Sequence, residues 1–119
     1  MLHIMCRAKI HGATVTEANL KYIGSITIDG ALLEAAGILP YEQVQIVNLN
    51  NGTRVATYVI EGRRNSGTIC MNGPAARWAE VGDHIHIIVY SPVERDEAKS
   101  WKPIFLFVDE KNRITSRKE

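Results

Sequence analysis

The residues in this chain best suited to chemistry on the backbone itself are Gly24 and Ser25, inside the stretch Tyr22-Ile23-Gly24-Ser25-Ile26-Thr27. A serine hydroxyl can attack the carbonyl that precedes it and convert amide to ester. Glycine suits the upstream position because it tolerates the backbone geometry this attack requires. Elimination from the ester frees a chain ending at Gly24. The dehydroalanine left at position 25 hydrolyses to a pyruvoyl group, a ketone able to form a Schiff base with an amine and to accept the electrons of a breaking carbon–carbon bond. Three further residues fit such chemistry: Lys9 and Arg54, two cations for a dicarboxylic acid, and Tyr58, a phenol that can return a proton to carbon. By itself Gly-Ser is a common turn dipeptide, Lys9 and Arg54 are ordinary strand-face charges, and Tyr58 is an ordinary core tyrosine.

The elements that must position these residues are short strands. Apolar and polar residues alternate from Leu2 to His11, with Lys9 on the more polar face. Glu17-Ala18-Asn19-Leu20 reads as a turn or a single helical turn, and Ser25 to Ile28 as a strand. Asp29 then caps a helix over 31–36 that stops at Gly37. Gln43–Val47 and Thr53–Glu61 flank Asn50-Asn51-Gly52, a hairpin signal. Thr68–Met71 and His84–Tyr90 read as strands, Asn72–Trp78 as a short helix with Pro74 in its first turn, and Pro103–Val108 as a last strand. Ser91 with Glu94 three residues on predicts a helix start, and residues 109–119 a loosely held charged tail. In a regular strand Arg54 and Tyr58 share a face, roughly 13 Å apart at about 3.3 Å per residue. Thr57 then faces the other way unless the strand is bulged.

One domain over 1–119 is expected, mainly β, a small closed β-barrel with short helices. Hydrophobic residues make up 45% and charged residues 23%, with a formal net charge of +1, which disfavours a nucleic-acid binder relying on a broad basic field. No apolar run is long enough for a membrane helix and no leader pattern opens the chain, so a cytoplasmic protein is expected. Cys6 and Cys70 could pair but are expected as buried thiols. His84 and His86 share a strand face but lack a third ligand nearby, so no metal is expected.

Lys9-Ile10-His11, Val15-Thr16, Leu20 to Ser25, Ala35 to Leu39, Asn51 to Arg54, Thr57-Tyr58, Asn72-Gly73, Ala75-Ala76 and Val81-Gly82-Asp83 together resemble the aspartate 1-decarboxylases. These are pyruvoyl-dependent enzymes that convert L-aspartate to β-alanine and CO2 for pantothenate and coenzyme A synthesis. The likeness runs from about Leu2 to Val108. It implies a double-psi β-barrel, a homotetramer with active sites between subunits, and autocatalytic cleavage into 1–24 and 25–119, with an accessory maturation factor left open. It also implies that Ser25 becomes the pyruvoyl group, so that neither pyridoxal phosphate nor metal is needed. Thr57 would polarise the Gly24 carbonyl during cleavage, Tyr58 would donate the proton, and Lys9, Arg54, Asn72, Gly73 and Ala75 would bind substrate. A guanidinium on the departing carboxylate would stabilise the ground state, so Arg54 is better used as a bidentate clamp on the retained side-chain carboxylate. The chain departs from the pattern at Lys21, where histidine is expected, at Pro74, where alanine is usual, and at His86, where an aliphatic residue is usual. The alternative reading is a non-catalytic small β-barrel that binds a partner.

Overall fold

The computed structural model describes residues 1–119. A long first strand, β1 (Leu2–Thr14), is followed by β2 (Glu17–Asn19), β3 (Ser25–Asp29), helix α1 (Gly30–Ala36), β4 (Gln43–Asn48), β5 (Arg54–Gly62) and β6 (Ile69–Asn72). A 3₁₀ helix over Gly73–Trp78 leads to β7 (His84–Glu94), α2 (Arg95–Ala98), β8 (Ile104–Val108) and β9 (Ile114–Lys118). The nine strands form one sheet in the order β2-β6-β3-β5-β4-β7-β1-β8-β9. The architecture is therefore mainly β, as expected. The hydrogen-bonded ladder has two ends, β2 and β9, so backbone pairing does not close the barrel that the sequence suggested.

Alternation builds the core. Ile85, Ile87 and Val89 of β7, Val44 and Ile46 of β4, and Ala8 and Ile10 of β1 point inward and are buried. With Ile26, Ile28, Ile69, Met71 and Leu106 they form one cluster, covered at one side by Leu32 and Leu33 of α1. β-Branched side chains suit this half-buried pleated surface. Helix α1 starts and stops as the sequence predicts: the Asp29 carboxylate accepts from the Ala31 N–H, and Gly37 closes the helix at φ +69°. Strand β1 shifts register against β7 between Cys6 and Ala8 and again between Ile10 and Ala13. These irregularities bend a strand that also pairs in parallel with β8.

Three local expectations need correction. Glu17–Asn19 is a short strand parallel to β6 rather than a turn, because its backbone finds a ladder partner at Cys70–Asn72. Ser91 does not cap a helix: it pairs with Met5 inside β7, and its hydroxyl accepts from Arg7 Nε at 3.0 Å. Cross-strand pairing overrides the local cap pattern, and α2 begins only at Arg95. Residues 109–119, expected as a loose tail, form a turn and the edge strand β9 against β8. The anchor is the buried Asn112, whose amide oxygen accepts from Thr14 N–H and whose nitrogen donates to the carbonyls of Thr14 and Gly67.

Candidate active site

Ser25 opens β3 and is completely buried. Its φ is +123°, a region that L side chains rarely occupy and that costs on the order of 1–3 kcal/mol. The strain sits in the residue that follows Gly24, where the sequence placed backbone chemistry. Pairing holds it there. β3 runs antiparallel to β6, with Ser25 opposite Asn72 and Thr27 opposite Cys70. The Asn72 amide nitrogen donates to Ser25 Oγ at 3.0 Å and to Thr27 Oγ1 at 2.9 Å.

Gly73 follows Asn72 with φ +61°, and a Cβ built there would stand 2.5 Å from Gly24 N and 2.7 Å from Gly24 Cα. Only glycine lets the two backbones come this close. A small cavity of about 280 Å³ opens beside the pair, lined by Gly24, Ser25, Val55, Ala56, Thr57, Pro74, Ala75 and Trp78. Its size suits a small molecule rather than a chain segment. Six of the residues singled out in the sequence, Gly24, Ser25, Thr57, Asn72, Gly73 and Ala75, thus surround a single peptide bond. Pro74 tolerates its missing N–H here because it stands in the first turn of the 3₁₀ helix.

Lys9, Arg54 and Tyr58 lie elsewhere. The pairing of β4 with β5 is continuous from Gln43–Tyr58 to Val47–Arg54, so no bulge intervenes. Consequently Thr57 points to the cavity side of β5, while Arg54 and Tyr58 share the opposite, exposed face. Arg54 Nη1 donates to Gln45 Oε1 at 2.8 Å, and the rest of its guanidinium faces outward. Tyr58 stacks on Tyr41 with ring centroids 6.5 Å apart. Lys9 reaches the same face through the row of paired residues Ala56, Gln45, Ile88 and Lys9 across β5, β4, β7 and β1. One chain therefore presents Gly24-Ser25 and its cavity on one side of β5 and a cationic and phenolic set on the other.

His11 and His86 are a further feature of that outer face. Their rings stack 4.0 Å apart, with Phe107 beside His11. His86 Nδ1 accepts from the Gly12 N–H at 3.0 Å, a donor freed where β1 shifts register. This accounts for an imidazole where an aliphatic residue was expected. Burial, helped by Lys9 and His11, lowers the His86 pKa to about 4. Between its ordinary pKa and about 4 the unfolded chain binds a proton that the folded chain refuses, so this contribution to stability is complete above the ordinary value and declines as pH falls. We expect the drop in Tm between pH 7 and pH 4.5 to be smaller in His86→Leu than in wild type. Parallel drops would remove His86 from the acid response.

Sequence reasoning missed Cys70 and Thr27, which touch Asn72, because a single sequence gives no strand register. His11 stood in plain view two residues from Lys9, on the same face of a strand. Lys21 is exposed at the entry to the 22–24 loop and its N–H bonds Asn19 Oδ1, so the side chain at this departure takes no part in the cavity. The exposed Arg64 pairs with Glu34, and Trp101 Nε1 donates to the Cys6 carbonyl at 2.7 Å.

Residues 1–115 match the profile of the aspartate decarboxylase family. Among curated proteins, the chain is 57% identical over 119 residues to the aspartate 1-decarboxylase of Carboxydothermus hydrogenoformans, covering 100% of this chain and 94% of that protein. It is 56% identical over 117 residues to the enzyme of the same name from Lactiplantibacillus plantarum, covering 98% and 90%. Identity to the one from Thermoanaerobacter pseudethanolicus is 58% over 113 residues, covering 95% and 97%.

Proposed function

Since this chain belongs to the aspartate decarboxylase family, we propose that it cuts itself between Gly24 and Ser25 and then converts L-aspartate to β-alanine and CO2. The observation that carries the reading is the conformation of Ser25: buried, strained at φ +123°, and held by Asn72 immediately after a glycine. Attack of Ser25 Oγ on the Gly24 carbonyl carbon breaks the amide and leaves a free amine at residue 25. Elimination then releases Gly24 as a carboxylate, and water replaces the nitrogen, lost as ammonia, to leave a pyruvoyl group. Cutting this bond abolishes the φ torsion of residue 25 and with it the strain. The donor set fits a group made in place. Thr57, on the cavity side of β5, is the residue assigned to polarise the Gly24 carbonyl.

Once formed, the pyruvoyl ketone supplies an electron sink for an amine-bearing substrate. The protein's own residues do the rest. Arg54 clamps the side-chain carboxylate of aspartate, Lys9 adds the second positive charge, and Tyr58 returns the proton after CO2 leaves. Asn72, Gly73 and Ala75 shape the wall of the pocket. Because Thr57 and Tyr58 face opposite sides of one regular strand, a complete site takes Lys9, Arg54 and Tyr58 from one copy and the cleavage centre from another. A homotetramer of double-psi barrels supplies that arrangement. Exposed Ile4, Ile23, Tyr41 and Tyr90 favour assembly. The working place is the cytoplasm, in pantothenate synthesis.

Intact-mass measurement of the warmed protein should find residues 1–24 and a remainder with a blocked end, alongside β-alanine formation from aspartate. A chain that stays whole and inert, with or without an added maturation factor, would favour a non-catalytic barrel. Tyr58→Phe should cleave at the wild-type rate, since the cleavage step uses Ser25, Asn72 and Thr57 and needs no phenol. Its aspartate turnover should fall by about 10²–10⁴-fold, the usual worth of a positioned acid. Full turnover in this variant would remove Tyr58 as the proton donor.

A further inference from the structure

The Asn72 amide nitrogen bonds the Ser25 hydroxyl, and its oxygen meets a residue outside the assigned site. Cys70 Sγ lies 3.1 Å from Asn72 Oδ1 and both residues are buried. On its other side, Cys70 faces Glu17, its register partner on β2. The carboxamide thus has three neighbours: the Ser25 and Thr27 hydroxyls on its nitrogen and the Cys70 thiol on its oxygen.

The two hydroxyls do not choose between the amide's orientations, because each can donate or accept. A thiol can choose. Sulfur is a poor acceptor, so an amide nitrogen placed against it loses a bond that an oxygen placed there keeps. Burial, the Glu17 carboxylate and a hydrogen bond to Glu17 raise the Cys70 pKa to about 11, so the sulfur keeps its proton, and its 3.1 Å contact with Asn72 Oδ1 places that oxygen, not the amide nitrogen, against it. The choice matters for the chemistry. With the amide nitrogen toward Ser25, Oγ accepts one bond and its own proton stays free to leave as the oxygen attacks Gly24. With the amide turned over, Asn72 Oδ1 would take the Ser25 proton into a hydrogen bond and pin the hydroxyl away from attack.

We infer that Cys70 is a positioning residue for self-cleavage, its thiol fixing the Asn72 amide in the orientation that leaves the Ser25 hydroxyl proton free. This rests on the self-processing reading above. No step passes through the sulfur itself, so no oxidant or covalent adduct is required.

The test follows newly made chains in a cell-free translation reaction, chased over time and read by intact mass. Wild type, Cys70→Ser, Cys70→Ala and Cys70→Val are compared. Serine keeps a donor at the same place and should cleave within about twofold of wild type. Alanine and valine lack the donor and should cleave roughly three- to tenfold more slowly, the range expected for one hydrogen bond of ordinary net strength. Valine refills the volume that alanine empties, so slow cleavage in both separates the lost donor from a packing defect. Thermal melting of each uncleaved chain checks that it is folded. Equal rates in all four chains would overturn the role of Cys70 and leave self-processing intact, as would a serine variant as slow as valine. Fast valine with slow alanine would assign Cys70 to packing and overturn the inference too. A wild-type chain that never cleaves, with or without an added maturation factor, would overturn the self-processing reading and this one with it.

Discussion

Ser25→Ala should yield a single uncut chain of full mass that folds, binds no amine covalently and makes no β-alanine. The hydroxyl is the only atom lost. Alanine takes the same φ of +123° at the same cost, so the fold should persist. Asn72 gives up one acceptor and keeps its bond to Thr27 Oγ1, a loss of about 1 kcal/mol. A second variant reads the strain itself. Glycine occupies positive φ without the Cβ penalty, so Ser25→Gly should also stay whole yet melt higher than Ser25→Ala. The difference expected is about 1 kcal/mol or more. Cleavage at this bond in either variant would refute Ser25 as the attacking group. Equal melting of the two would mean that the backbone at residue 25 relaxes freely and that strain does not prime the bond.

How far a single sequence reaches is plain from where its signals succeed. Helix α1 was legible at both ends because Asp29 and Gly37 act on backbone groups only a few residues away. The hairpin joining β4 and β5 was equally local, and its register makes the alternation of Arg54, Thr57 and Tyr58 meaningful. What failed was non-local. Ser91 and Glu94 spell a cap, but β1 offers their backbones a ladder thirteen residues long, and the ladder wins. The charges of 109–119 look like a tail because the buried anchor, Asn112, binds Thr14 and Gly67, neither of which is near it in sequence.

The site divides in the same way. The residue types suited to cutting and binding were visible, and the resemblance implied their roles. Their division between two faces was not, since it depends on β5 being free of a bulge. Asn72 was expected at the substrate, and its amide reaches the Ser25 hydroxyl, a contact that exists only because β6 pairs with β3. Pairing partners are what the alternation of a lone strand leaves open.

Gly73→Ala should stop maturation as firmly as loss of the nucleophile, though it removes no reactive group. The added Cβ would meet Gly24 N at 2.5 Å, Gly24 Cα at 2.7 Å and the Tyr22 carbonyl oxygen at 2.8 Å. All three are backbone atoms, so no side chain can swing aside. Either the 22–24 loop moves away, taking the Gly24 carbonyl out of reach of Ser25 Oγ, or the 3₁₀ helix retreats and takes Asn72 with it. Both outcomes misalign the attack. Overpacking together with an alanine at φ +61° should lower stability by on the order of 2–4 kcal/mol. Gly52→Ala is the matched comparison, since its φ is +75° but nothing lies within 4 Å of the new Cβ. It should lose about 1 kcal/mol and mature normally. If Gly73→Ala also cleaved at the wild-type rate, the close approach of residues 24 and 73 would be incidental, and Ser25 and its hydrogen bonds alone would set the rate.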